Sequence, residues 1–194
     1  MTLHDPGERV LPVGRSFPQR VVAALRFDAS VYDELEDDPA ALGQAALVVA
    51  LAGLARGVGA FGQDGWVGLV LGVLGGFIVW GFAAWVIWQI GVKSFAYTSD
   101  FAELLRTLGF AAAPLFGLAL CALPLGPLRA VVGLAAHAAA TVAFFIAARQ
   151  ALDVSTERAL VVCVLAIGLS LVLVFLLSVL LVGTAASSAT LPAL

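Results

Sequence analysis

Charge is what this sequence has least of. Only 12% of its 194 residues are Asp, Glu, Lys or Arg, about half the ~25% usual in a soluble domain. Such a chain cannot coat a water-facing surface, which excludes an ordinary soluble globular fold. Lysine is nearly missing: Lys93 stands alone while Arg, Ala and Gly are frequent, a bias that reads as the codon usage of a GC-rich bacterial genome. With a net charge of −3 and no basic stripe to neutralise phosphates, nucleic acid is excluded as a partner. The only two cysteines, Cys121 and Cys163, sit in apolar runs at different depths. They are too far apart for a disulfide and read as small hydrophobes. A Gly-rich phosphate loop, a His-Glu-x-x-His pair and a Cys-x-x-Cys pair are all missing. Ser170 and Ser178 have no lysine or aspartate near them in their apolar run, so no activated nucleophile is expected. The expectation is therefore a protein that is not an enzyme, with no catalytic, cofactor or metal site. Met1 to Pro39 also lacks the charged, apolar and small-residue zones of a secretory leader, so the first apolar helix is expected to insert uncleaved.

What the chain has in abundance is hydrocarbon. It is 62% hydrophobic with a mean hydropathy of +1.06, gathered into five runs of roughly the ~20 residues a helix needs to cross a ~30 Å bilayer core. The runs cover about 40–61, 65–90, 104–123, 128–148 and 159–183, each compatible with a spanning helix. The expected fold is all-α: a polytopic bundle of five transmembrane helices (39–184), preceded by a cytoplasmic amphipathic and acidic segment (1–38) and followed by a short external tail (185–194).

Local signals place the ends. Met1 to Ser16, with Pro6, Gly7, Pro12 and Gly14, reads as a tail. Phe17, Val21 and Leu25, then Phe27, Val31 and Leu35, recur every fourth residue with Arg20, Arg26, Asp28, Asp33 and Glu34 opposite. That patterning predicts an interfacial helix whose Arg20–Phe27 half meets lipid. Asp38 and Pro39 open the first span, Asp100 and Glu103 have capping-box spacing, and Pro124-Leu125-Gly126-Pro127 marks a turn between two spans. With the N-terminus inside, the cytoplasmic segments hold Arg9, Arg15, Arg20, Arg26, Lys93, Arg106, Arg149 and Arg158, and the outside only Arg56 and Arg129. This asymmetry predicts a cytoplasmic N-terminus and an external C-terminus.

Within the spans, Gly68, Gly72 and Gly76 form a small-xxx-small ridge, with Gly53 and Gly57 as a shorter one. Such ridges let backbones approach closely, either inside one protomer or between two copies. His137 is the one ionisable group near the middle of a span, a depth at which a polar residue is costly. It is expected to be neutral and bonded to a backbone carbonyl, with the oxygen of Phe110 freed by Pro114 a candidate partner. Thr107 competes for that oxygen. The candidate interaction surface is cytoplasmic: the Asp28–Asp38 acidic segment with the Lys93–Arg106 and Arg149–Arg158 connectors. Within it, Asp33, Glu34, Glu36, Asp37 and Asp38 are the candidate partner-binding residues, by charge complementarity with a basic protein.

Leu105 to Pro114 resembles the Gly-aromatic-x-x-x-Pro segment of Yip-domain proteins, the Ypt/Rab-interacting membrane family, through Gly109, Phe110 and Pro114. Ala148 to Leu160 is similar to the cytoplasmic loop and following helix of bacterial members. The resemblance implies five helices with a cytoplasmic N-terminus. The Asp-Leu-Tyr-Gly-Pro motif of eukaryotic members is missing, and Phe110 stands where the motif has tyrosine, so the GTPase-binding role is not carried over. The resulting expectation is a bacterial inner-membrane scaffold in contact with lipids and protein partners, a second copy of itself among them. The rival is a small transporter or lipid-handling protein, for which the Gly-rich second span, Pro114 and His137 would line a cavity.

Overall fold

A computed structural model describes residues 14–94 and 99–189, with side chains for 14–93 and 99–180. Most of the expected N-terminal tail, the middle of the connector after Lys93 and the end of the C-terminal tail lie outside the described residues. Every described element is helical: α1 (Phe17–Leu25), α2 (Ala29–Asp37), α3 (Ala41–Ile87) continuing as a π-helical stretch (Trp88–Ser94), α4 (Phe101–Phe110), a 3-10 helix (Ala113–Ala122), α5 (Leu128–Ala151) and α6 (Thr156–Ala189).

The N-terminal helix expected from Phe17 to Leu35 is two helices. Its two sets of apolar residues are out of phase, and the chain breaks between them at Phe27, which takes φ +59°. The Asp28 carboxylate then accepts from the Ser30 amide at 3.0 Å and opens α2. The capping box at α4 forms as expected: the Glu103 amide donates to Asp100 (2.7 Å) and the Asp100 amide to Glu103 (2.8 Å).

Three helices are long and apolar enough to cross a membrane, or up to four if the bent pair α4 plus 3-10 helix is one span. A straight α3 of 47 residues would be about 70 Å long, more than twice the ~30 Å core. It is not straight. Gly65 takes φ 56° and ψ −145°, a conformation open to glycine, and the chain doubles back there. Val49 faces Gly76, Gly53 faces Gly72, and Gly57 faces Gly68 and Leu69. Each step of four residues along one arm matches a step of four back along the other, the register of an antiparallel hairpin. A Cβ on Gly53 would sit 2.6 Å from the Gly72 carbonyl oxygen, and one on Gly72 2.5 Å from that of Gly53. Only glycine permits this approach.

Pro114 does more than kink the third apolar run. α4 ends at Phe110, the axis bends by 40°, and the chain continues as ten residues of 3-10 helix, long for that geometry. At about 1.5 and 2.0 Å rise per residue the pair extends about 35 Å, enough for one crossing. Thr107 does not reach the Phe110 oxygen. Its hydroxyl donates to Glu103 (3.0 Å) and Leu104 (3.3 Å) in its own helix.

Alanines are prominent in the interior, beside larger fully buried side chains such as Ile87, Leu104 and Phe110, and large apolar residues cover the exterior. Ala41, Ala45, Ala84, Ala143, Ala147 and Ala166 are fully buried, whereas Leu134, Leu160, Leu171, Phe175 and Leu180 are more than half exposed. Such an exterior suits a helical bundle solvated by lipid tails, and the buried alanines allow the close backbone packing that holds helices together. Water would leave an apolar exterior far larger than soluble monomers carry.

Candidate functional site

α1 and α2 lie across one end of the bundle, α2 against α4 and α5. Ala24, Val31, Tyr32 and Leu35 bury their apolar faces in the core, and charge ties down the rest. Arg20, expected on the polar face of α1, is only 4% exposed. Its guanidinium donates to Glu34 (2.9 Å), Asp38 (2.7 Å) and Gln44 (3.0 Å), joining α1, α2 and α3. Burial opposes the charge on Arg20, but its hydrogen bonds to Asp38 and Glu34 carry its pKa above the ordinary value. The same bond holds the Asp38 carboxyl below its usual range. Arg15, read as part of a tail, is tied in too, pairing with Asp28 (3.1 Å) and Glu34 (3.4 Å).

Arg106 is the second buried cation. From α4 it donates to the carbonyls of Leu35 (2.9 Å) and Glu36 (2.5 Å). These belong to the last turn of α2, whose carbonyls have no partner within the helix and whose dipole favours a cation. Gln150, at the end of α5, donates to Asp33 at 2.6 Å. Tyr32 is fully buried beneath this layer, and burial raises its phenol pKa.

The five acidic residues of the candidate surface therefore have different fates. Glu34 and Asp38 serve Arg20 and Arg15, Asp33 accepts from Gln150, and Asp37 is exposed. Glu36 is half-buried. Burial, followed by the charges of Asp33, Glu103, Asp153 and Asp37, pushes its carboxyl up to about 7. Those influences disclose an acidic rim contributed by α2, α4 and the α5–α6 connector. Glu103 and Asp153 lie in the two connectors expected to form part of the cytoplasmic surface, though the sequence singles out neither as a partner-binding residue. Nothing local shows that they meet Glu36, because α2, α4 and the α5–α6 connector are far apart along the chain.

Of the expected intramembrane set, Gly109 lies where a Cβ would come within 2.7 Å of the Ala45 Cβ, and so marks the close crossing of α4 and α3. Phe110 is fully buried, its ring edge-on to Phe17 at 6.2 Å. Pro114 is buried as well. His137 is not near them. Its Nδ1 is 2.8 Å from the Gly133 carbonyl oxygen one turn back in α5, and its ring is exposed, not enclosed by the surrounding alanines. Of the glycine ridge, Gly72 meets Gly53, Gly76 makes ordinary contact with Val49 and Gly53, and a Cβ on Gly68 would strike Asp64 of its own hairpin.

At the other end, beside the turns at Gly65 and Gly126, a groove of about 490 Å³ lies between the first arm of α3, the 3-10 helix and α5. Arg56, Arg129 and His137 line it, and Arg129 donates to the Gly59 carbonyl at 2.8 Å. Among the described residues no three His, Cys, Asp or Glu side chains stand close enough together to hold a metal ion.

A family model described as the Yip1 domain matches residues 23–179. No curated protein and no solved structure matches the chain.

Proposed function

The chain belongs to the Yip1 domain family, and on that premise we propose that it is a non-enzymatic membrane scaffold of the bacterial inner membrane. In this reading the two arms of α3 are two crossings, the bent α4 and 3-10 pair is one, and α5 and α6 are one each. Five crossings put the termini on opposite faces, and the excess of Arg and Lys at the α1–α2 end puts that end in the cytoplasm. Val22, Leu25 and Phe27 are exposed apolar residues around the end of α1, which supports contact of that helix with the lipid interface.

The acidic rim of Asp33, Glu36, Asp37, Glu103 and Asp153 is the observation that carries the scaffold reading. It converges from three elements and is mounted on a layer held down by buried arginines. A basic protein surface is its complement, with electrostatics setting encounter and specificity more than raw affinity. A second copy of the chain remains among the candidate partners. The test is affinity recovery from mild detergent with the triple variant Asp33→Asn, Asp37→Asn, Asp153→Asn, which spares the carboxylates bound to Arg20. Partners identified by mass spectrometry with the unmodified chain should be recovered several-fold less with the variant. Undiminished recovery rejects the rim as the docking surface. A second reading, lipid handling or transport, is favoured by the groove that reaches His137.

A further inference from the structure

The groove at the hairpin end has a composition that the scaffold reading does not use. Arg56 and Arg129 both line it. Among the described residues neither is in an ion pair, and Arg56 has no hydrogen bond either. The acidic residue at this end, Asp64, sits at the hairpin turn against Gly68 and pairs with neither. Two unneutralised guanidinium groups therefore converge on one cleft.

Their depth makes this informative. Arg129 opens α5 and bonds Gly59, so Gly59 is near the same level, and Arg56 lies one helical turn further in. His137 is eight residues beyond Arg129, about 12 Å deeper at 1.5 Å per residue. The groove thus descends from the level of the head groups towards the acyl chains, with its cations at the mouth. At the mouth both long side chains can hold their guanidinium groups at the level of the lipid phosphates. α5 adds the positive end of its dipole, and its N-terminus carries no side-chain cap, an arrangement that favours an anion.

We propose that this groove binds an anionic membrane phospholipid, with the phosphodiester between Arg56 and Arg129 and the glycerol backbone and upper acyl chain running down towards His137. Guanidinium forks match phosphate oxygens in geometry as well as charge, and the volume falls within the ~300–1,000 Å³ range of small-molecule sites. The assignment rests on the membrane-embedded part of the preceding reading and not on the acidic rim, so failure of partner recovery leaves it untouched.

The test titrates the full chain, in mild detergent, with phosphatidylglycerol and counts retained lipid by native mass spectrometry. Arg56→Gln removes one phosphate contact without breaking an internal bond, and should weaken retention roughly tenfold. Gly133→Leu is the charge-neutral companion: a Cβ there meets nothing within 4 Å, so the side chain fills the groove and should also lower retention. Arg158→Gln, an exposed cation at the opposite end, should leave retention unchanged, and phosphatidylcholine should be retained more weakly than phosphatidylglycerol. Equal retention by Arg56→Gln and the unmodified chain overturns the proposal. An equal loss in Arg158→Gln does so as well, since it means unspecific attraction. Displacement of the lipid by equimolar inorganic phosphate overturns the lipid assignment in favour of free phosphate.

Discussion

Replacing Arg20 with Ala should release the α1–α2 layer while leaving the bundle beneath it intact. The side chain is 5% exposed, and its partners Glu34 and Asp38 are 23% and 30% exposed. Removing one member of a buried ion pair costs about 3–5 kcal/mol when the other is stranded. Here the carboxylates can take up some water, and Glu34 keeps Arg15, so the loss should be smaller, about 2–4 kcal/mol. If opening of the layer governs exchange, amides of α1 and α2 should exchange about 30- to 1,000-fold faster. Hydrogen–deuterium exchange with peptide-level mass spectrometry reads this directly, with α5 and α6 as internal controls. Arg20→Lys should recover part of the protection, since a single ammonium cannot hold Glu34, Asp38 and Gln44 in the geometry of the fork. Unchanged exchange in α1 and α2 would refute the claim that Arg20 holds the layer. An equal acceleration in α5 and α6 would refute the claim that the layer opens independently.

Two further outcomes follow from the same layer and from the hairpin. Glu36 has its pKa raised to about 7 by burial and by the acidic rim, so the folded layer binds its proton more tightly than the unfolded chain does. That contribution to stability is complete below the ordinary glutamate range and is lost as pH rises through about 7. Protection of α2 amides, corrected for intrinsic exchange, should therefore fall between about pH 5 and 8, and Glu36→Gln should flatten the dependence. A slope that survives the substitution excludes Glu36 as its source. At the seam, Gly72→Val puts a branched side chain against the Gly53 carbonyl and should cost about 1–3 kcal/mol or more by overpacking, whereas Gly75→Ala, with open space at its Cβ, should be silent. Size-exclusion profiles after solubilisation should broaden only for Gly72→Val, and a sharp peak for both would mean that the arms do not pack as described.

How legible the molecule was depended on the range of the forces involved. Helical content and membrane residence follow from composition and from run length against bilayer thickness, properties of single segments. The capping box at Asp100 and the turn at Gly126 are equally local, and they stand where the sequence put them. The break at Phe27 was also written in the sequence, as a change of phase between two apolar sets, though the pattern passes for a single helix if only spacing is counted. Gly53 and Gly72 were visible as small-residue ridges, but not that they face each other.

Composition and periodicity by themselves determined the kind of solvent each segment prefers, because partitioning into hydrocarbon is summed residue by residue. Tertiary structure alone decided which charges are buried. Arg20 and Arg106 look like surface cations until α2 is laid across them, and Arg106 meets carbonyls about 70 positions away. It also decided the acidic rim around Glu36 and the cationic groove between Arg56 and Arg129, since a cluster assembled from separate helices has no signature in any one of them. The free energy of a buried ion depends on all its neighbours at once, and that set exists only when the chain has folded.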